Sequence, residues 1–246
     1  MSEFLGVSIL IHGPGKSGKS TCADTSPAPR LVLDVEMGSR FTPSRKVVWD
    51  PKSYAPPEAD GTWDTAIVPI REYDDITRAY EWLNSGKHPF KSVVLDSISE
   101  GQQRAVSGIA GTAQMDMQKW GILLRQLGDL ARKLRDLTTH PTNPLDAVVV
   151  IAMTHQRNGD GPFVPFVQGQ LREFLPYLFD VLGYLAPVQT ESGAYVRRLF
   201  IGPSPEYASG ERVGGRLGEH IDNPNVTDML AMIRGEDAAA DKEEVA

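Results

Sequence analysis

The feature that most constrains the fold is the run Gly13-Pro14-Gly15-Lys16-Ser17-Gly18-Lys19-Ser20, which follows an apolar stretch. It fulfils the pattern Gly-x-x-x-x-Gly-Lys-Ser/Thr, a complete Walker A motif. The glycines Gly13, Gly15 and Gly18 allow successive backbone N–H groups to converge on phosphate oxygens, with a helix N-terminus beneath them. Such a loop has to join a buried strand to a helix. Phe4 to His12 supplies the strand, and only a few residues after Ser20 can be helical before Pro27 and Pro29 intervene.

The same alternation continues along the chain. Arg30 to Val35 is a second short buried strand ending in acidic residues, and Val47 to Trp49 is a third, followed by a Pro-rich loop from Pro51 to Gly61. Thr65 to Ile70 is strand-like. Asp74 to Leu83 places Ile76, Ala79, Tyr80 and Leu83 on one helical face. Ser92 to Leu95 is a buried strand that delivers Asp96. From Gly101 to Met117 the apolar periodicity fades, which predicts a loop or a marginal helix. Trp120, Leu123, Leu127, Leu130, Leu134 and Leu137 then recur at helical steps. Ala147 to Met153 is all apolar, as in a parallel sheet covered on both faces. A Gly/Pro-rich loop, Arg157 to Gly169, leads to two strands, Leu178 to Ala186 and Ala194 to Ile201, joined by a turn at Glu191-Ser192-Gly193. Asn225 or Thr227 caps a final helix through Ile233. The pattern predicts an α/β fold: a mostly parallel central sheet flanked by helices, with antiparallel strands near the C-terminus.

Composition narrows the function classes. The 246 residues suit one domain over residues 1–234, with an acidic tail over 235–246. Between Glu236 and Glu244 that tail carries five carboxylates against Lys242 alone. A formal net charge of −7 gives no bulk attraction for nucleic acid, so any such contact needs a local basic patch. The lone cysteine, Cys22, excludes an intrachain disulfide and a multi-cysteine metal site. No apolar run reaches the ~18–20 residues that cross a bilayer, and no signal peptide opens the chain. The expectation is a cytoplasmic protein without a membrane partner.

Chemistry concentrates at the predicted carboxyl ends of the strands. Residues Gly13, Pro14, Gly15, Lys16, Ser17, Gly18, Lys19, Ser20 and Thr21 form the predicted nucleotide cradle. Lys19 reaches the β- and γ-phosphates, and the Ser20 hydroxyl ligates Mg²⁺. Asp96, at a strand end, is the expected second magnesium residue, with Ser97 beside it. Glu36 is placed to orient and deprotonate an attacking water, with Asp34 in support. Thr154-His155-Gln156 ends the strand that begins at Ala147, where a polar side chain can contact the γ-phosphate. Phe163 and Phe166 in the following loop either stack on bases or pack the loop onto the core. One of Arg197, Arg198, Arg212 and Arg216 could act across a subunit interface as a finger.

Walker A, a short link to a strand ending Asp34-x-Glu36, Val94-Leu95-Asp96-Ser97, a long helix and a strand ending Thr154-His155-Gln156 together resemble RecA more than AAA+ or Ras-like enzymes. More closely, the chain resembles the RecA-core P-loop ATPases of phage genomes, including the Sak-type single-strand annealing or recombination group. The similar stretches, among them Gly13–Thr21, Leu31–Gly38, Val93–Ser99 and Val149–His155, fall within residues 4–220. The resemblance implies a RecA-like core, ATP with Mg²⁺, and work on single-stranded DNA in recombination or replication. It implies that Glu36 is the catalytic glutamate and that His155 or Gln156 senses the γ-phosphate. It also implies DNA loops after Asp96 and after Gln156, with a homo-oligomer, a single-strand-binding protein and the cytoplasm of an infected cell as the setting. The alternative from another class is a nucleotide-dependent protein-interaction switch that does not touch DNA.

Overall fold

The computed structural model describes residues 6–236. Phe4 of the expected first strand and all of the acidic tail beyond Glu236 lie outside the described residues. In chain order the elements are β1 (Val7–Gly13), α1 (Lys19–Ala23), β2 (Arg30–Asp34), β3 (Lys46–Val48), β4 (Thr65–Pro69) and α2 (Tyr73–Asn84). Then come β5 (Ser92–Asp96), α3 (Ile98–Ala110), α4 (Met117–Asp136), β6 (Ala147–Gln156), β7 (Phe163–Pro165) and α5 (Leu171–Leu178). The chain closes with β8 (Val181–Gln189), β9 (Tyr195–Phe200), β10 (Gly210–Glu211), β11 (His220–Asp222) and α6 (Val226–Arg234).

The main sheet runs β11-β9-β8-β1-β6-β5-β2-β4-β3. From β8 to β3 every pairing is parallel, and β9, β10 and β11 add antiparallel strands at the other side. The strands β1, β2 and β5 are buried at every position, as their largely apolar runs require when both faces are covered. One core layer packs Leu10, Leu33, Leu95 and Val150 against α2, α3, α4 and α5. The other packs Ile9, Ile11, Val94 and Ile151 against Cys22 and Ala23 of α1 and Met229, Leu230 and Ile233 of α6. Among the described residues no helix is long and apolar enough to cross a membrane.

Two helices exceed the sequence expectation. The segment after Asp96 is a 13-residue helix, α3, capped by Ser97, whose Oγ accepts from the Glu100 amide at 3.3 Å. Its buried face, Ile98, Gln102 and Ala105, mixes polar with apolar residues, so the hydrophobic period is weak although the cap is strong. Helix α5 was hidden by Pro176 and by its shortness. Helix α4 starts at Met117, capped by Asp116, and α6 is capped by Asn225, which accepts from the amides of Thr227 and Asp228.

Candidate nucleotide site

The site is built from what terminates β1. A methyl group on Gly13 would lie 2.1 Å from the Leu185 carbonyl oxygen, so only glycine lets β1 run between its neighbours and turn. The loop then places Lys16 at φ 62° and Gly18 at φ 97°. Helix α1 stops after five residues. The hydroxyls of Thr25 and Ser26 donate back to the carbonyls of Cys22 and Ala23 at 2.5 and 2.7 Å, and Pro27 and Pro29 forbid further turns. This return brings Arg30 into β2, where its side chain meets Asp24 at 3.4 Å.

The register of the parallel strands then aligns their polar ends. Gly13 sits opposite Met153, and Asp34 opposite Asp96. The amides of Val35 and Glu36 donate to the Asp96 carbonyl at 2.8 and 3.3 Å, fixing two acidic segments side by side. A cavity of about 460 Å³ opens there, lined by Gly15, Lys19, Ser20, Glu36, Asp96, Thr154 and Arg197 among others. Larger clefts lie elsewhere, but those bear no glycine loop and have their charged groups paired on the surface.

Within the cavity, Lys19 Nζ donates to the carbonyls of Gly13 and Pro14 at 3.0 and 2.7 Å. Burial lowers the lysine's pKa, opposed by the Glu36 and Asp96 carboxylates. The Ser20 hydroxyl donates to Asp96 Oδ2 at 2.6 Å. Asp96 is pushed up to about 6, chiefly by burial, while the Ser20 hydrogen bond pulls it down. Ser97 Oγ donates to Glu36 Oε1 at 2.5 Å. Asp34 accepts from the amides of Gly38 and Ser39 at 3.1 and 3.0 Å, so it shapes the turn that carries Glu36. Cys22 is buried, its thiol pushed up to about 12 by desolvation, which makes it an inert core residue.

The donor set fits a nucleotide and its metal. Among the described residues the N–H groups of Gly15, Lys16 and Gly18 donate to no backbone carbonyl, and the space over Gly15 is open. Ser20 and Asp96 already touch, as two groups sharing one magnesium shell would.

A family model described as an AAA domain matches residues 5–213. The chain belongs to this AAA-domain family. It is therefore a member of an AAA-type P-loop ATPase family, and the mostly parallel sheet is the P-loop core expected of one. No curated protein matches the chain. The motif comparison favoured RecA over AAA+; what the match establishes for this AAA-domain protein is the coarser P-loop placement.

Three observations refine the sequence reading of the AAA-domain site. Strand β6 extends three residues past Met153, so the level of the cavity falls at Met153 and Thr154. His155 and Gln156 stand beyond it and are absent from the cavity lining. The His155 ring meets Phe166 edge-on at 5.4 Å, and Gln156 is exposed opposite Phe163. Phe163 itself stacks on Tyr184 at 5.8 Å, so both loop aromatics pack inward. A residue outside the sequence reading is His12, a polar ring in a strand whose other side chains, apart from Ser8, are apolar. It is fully buried, with Nε2 2.7 Å from the Ala208 carbonyl and Nδ1 3.1 Å from Thr154 Oγ1.

Proposed function

We propose that the chain binds and hydrolyses Mg-ATP as a RecA-like protein, and couples turnover to single-stranded DNA in phage recombination, annealing or replication. The observation that carries the nucleotide half is the convergence of the glycine loop, Lys19, the Ser20–Asp96 pair and Glu36 in one cavity. Ser20 and Asp96 would hold magnesium, which supplies counter-charge to the phosphates. Lys19 leaves the loop carbonyls to meet phosphate oxygens. Glu36 takes the proton of the attacking water: Ser97 fixes Oε1, and the exposed carboxylate keeps its other oxygen open to solvent.

Thr154 supports the coupling. A carbonyl only accepts, so the bond to Ala208 makes His12 Nε2 the donor and Nδ1, in the neutral ring, an acceptor. The single Thr154 hydroxyl hydrogen then has two acceptors, His12 Nδ1 and the Val164 carbonyl in β7, each at 3.1 Å. A group in the cavity can thus bias the loop after Gln156, the position of a DNA loop by resemblance. In this reading Thr154 takes the γ-phosphate contact expected of His155 or Gln156. A homo-oligomer and a single-strand-binding protein belong to the same proposal. The inward packing of Phe163 and Phe166 favours a second reading, a nucleotide-dependent switch for a protein partner.

The deciding measurement is ATP turnover with and without single-stranded DNA. The DNA reading expects single strands, and not duplex, to accelerate phosphate release. Unchanged turnover together with no DNA binding at low salt, where phosphate contacts are strongest, leaves the switch.

A further inference from the structure

The four late arginines have different fates. Arg198 pairs bidentately with Asp222 at 2.6 and 2.9 Å, Arg212 holds Asp180 at 2.8 Å, and Arg216 donates to the Ile233 carbonyl. Arg197 is spent on none of these. Among the described residues its guanidinium makes no hydrogen bond or ion pair, and it lines the nucleotide cavity of its own subunit. The side chain lies against the loop: a methyl on Gly18 would sit 2.6 Å from Arg197 Cδ and Nε and 3.0 Å from Cζ. Its backbone is held at both polar groups, the amide donating to Asn223 Oδ1 at 3.2 Å and the carbonyl accepting from the Asn223 amide.

We infer that Arg197 contacts the nucleotide in cis, gripping its diphosphate portion from the α1 side of the loop. This rests on the Mg-ATP reading above. Geometry separates the two cations. Lys19 Nζ is held at the start of the loop by the Gly13 and Pro14 carbonyls at 3.0 and 2.7 Å, with the Glu36 and Asp96 carboxylates acting on it. Arg197 instead lies against Gly18 at the loop's end, where it also acts on the Cys22 thiol one turn into α1. The two cations therefore flank the loop. Lys19 faces two carboxylates that partly offset it, whereas Arg197 pairs with no carboxylate among the described residues and lends its whole charge to the phosphates. A charge on the α- and β-phosphates stabilises ADP and ATP alike, and such uniform binding changes affinity more than the chemical step. An arginine finger would do the reverse, because it acts on charge that develops in the transition state. Glycine at position 18 is what allows the side chain to lie so close.

The test compares the parent with Arg197→Ala and Arg197→Lys. Titration calorimetry gives Mg-ADP affinity, steady-state kinetics give KM and kcat, and thermal unfolding without nucleotide checks the fold. Losing one charge-assisted contact should weaken ADP binding and raise KM for ATP by about tenfold each, with Arg197→Lys falling between. Over the same comparison kcat should fall by no more than about threefold. A drop in kcat of tenfold or more at unchanged ADP affinity would overturn the inference in favour of a finger. So would ADP affinity and KM that do not move in either variant. Recovery of turnover on mixing Arg197→Ala with Lys19→Ala protein would also overturn it, by showing action across an interface. A parent that binds neither nucleotide would overturn the Mg-ATP reading and, with it, this inference.

Discussion

On one side of β1 the parallel strands β5 and β2 end level with the glycine loop and β6 runs three residues past it; on the other, β8 is parallel to β1 but turns back through an antiparallel hairpin with β9 that overshoots the loop. The parallel side delivers Thr154, Asp96 and Glu36 through backbone register, with Gly13 opposite Met153 and Asp34 opposite Asp96. Its polar groups are tied to one another: Ser20 to Asp96, Ser97 to Glu36, Thr154 to His12. The hairpin side delivers Arg197 on a strand whose first residue, Tyr195, is 74% exposed, and among the described residues that guanidinium makes no hydrogen bond or ion pair. Interlocked groups on buried strands suit chemistry that tolerates little displacement. A single long cation on a projecting hairpin suits binding, where reach matters more than precision.

This contrast breaks most plainly at Lys19. Among the described residues its ammonium bonds only to two loop carbonyls, so Lys19→Ala should keep its secondary structure and melting behaviour while ATP hydrolysis falls below detection. Circular dichroism and phosphate release measured on the same preparation decide it. Turnover comparable to the parent would defeat the nucleotide site altogether.

Glu36 and Asp96 sharpen the contrast within the parallel side. Glu36→Gln keeps size and hydrogen bonding to Ser97 but removes most of the basicity. It should bind ATP about as well as the parent and hydrolyse it roughly 10²–10⁴ times more slowly. Asp96→Asn should weaken Mg-ATP binding as well as turnover, since the residue is placed to hold the metal. Near-normal turnover in Glu36→Gln would remove this carboxylate from the mechanism.

The parallel side is also the side that could be read in advance. Buried runs such as Ala147–Ile151 announce their strands because both faces need apolar residues. The glycine loop, Asp96 and Glu36 announce themselves by standing at the ends of such runs. The rest was hidden for physical reasons. Strands β7, β10 and β11 have two or three residues, too few for any period. The β8–β9 hairpin is legible from its turn at Glu191-Ser192-Gly193, but the approach of Arg197 to Gly18 depends on β8 lying beside β1, which no local pattern specifies. His12 was masked by its own strand, where Val7, Ile9, Leu10 and Ile11 argued for an apolar core and one ring argued for something else.

That ring gives the smallest and most specific effect. Burial lowers the His12 imidazole from 6.5 to about 4, with the Ala208 carbonyl pulling the other way and Lys19 adding to the fall. The ring is therefore neutral at pH 7, packed 5.2 Å from Tyr184 and joined to Thr154. A histidine depressed by folding contributes stability that is present above its unfolded pKa and lost as the pH falls through the folded one. The window here runs from about pH 6.5 down to about pH 4. His12→Gln retains a donor for Ala208 and an acceptor for Thr154 but cannot take up a proton. Whatever the substitution costs at pH 7, the parent should lose about 2 kcal/mol more than the variant between pH 7 and pH 4.5, read from urea unfolding at each pH. Parallel stability curves for the two proteins would mean that His12 does not stay neutral. The single hydroxyl hydrogen of Thr154 would then pass to Val164 wherever the ring carries its proton, below about pH 6.5, and the link from the cavity to the loop beyond Gln156 would hold only above it.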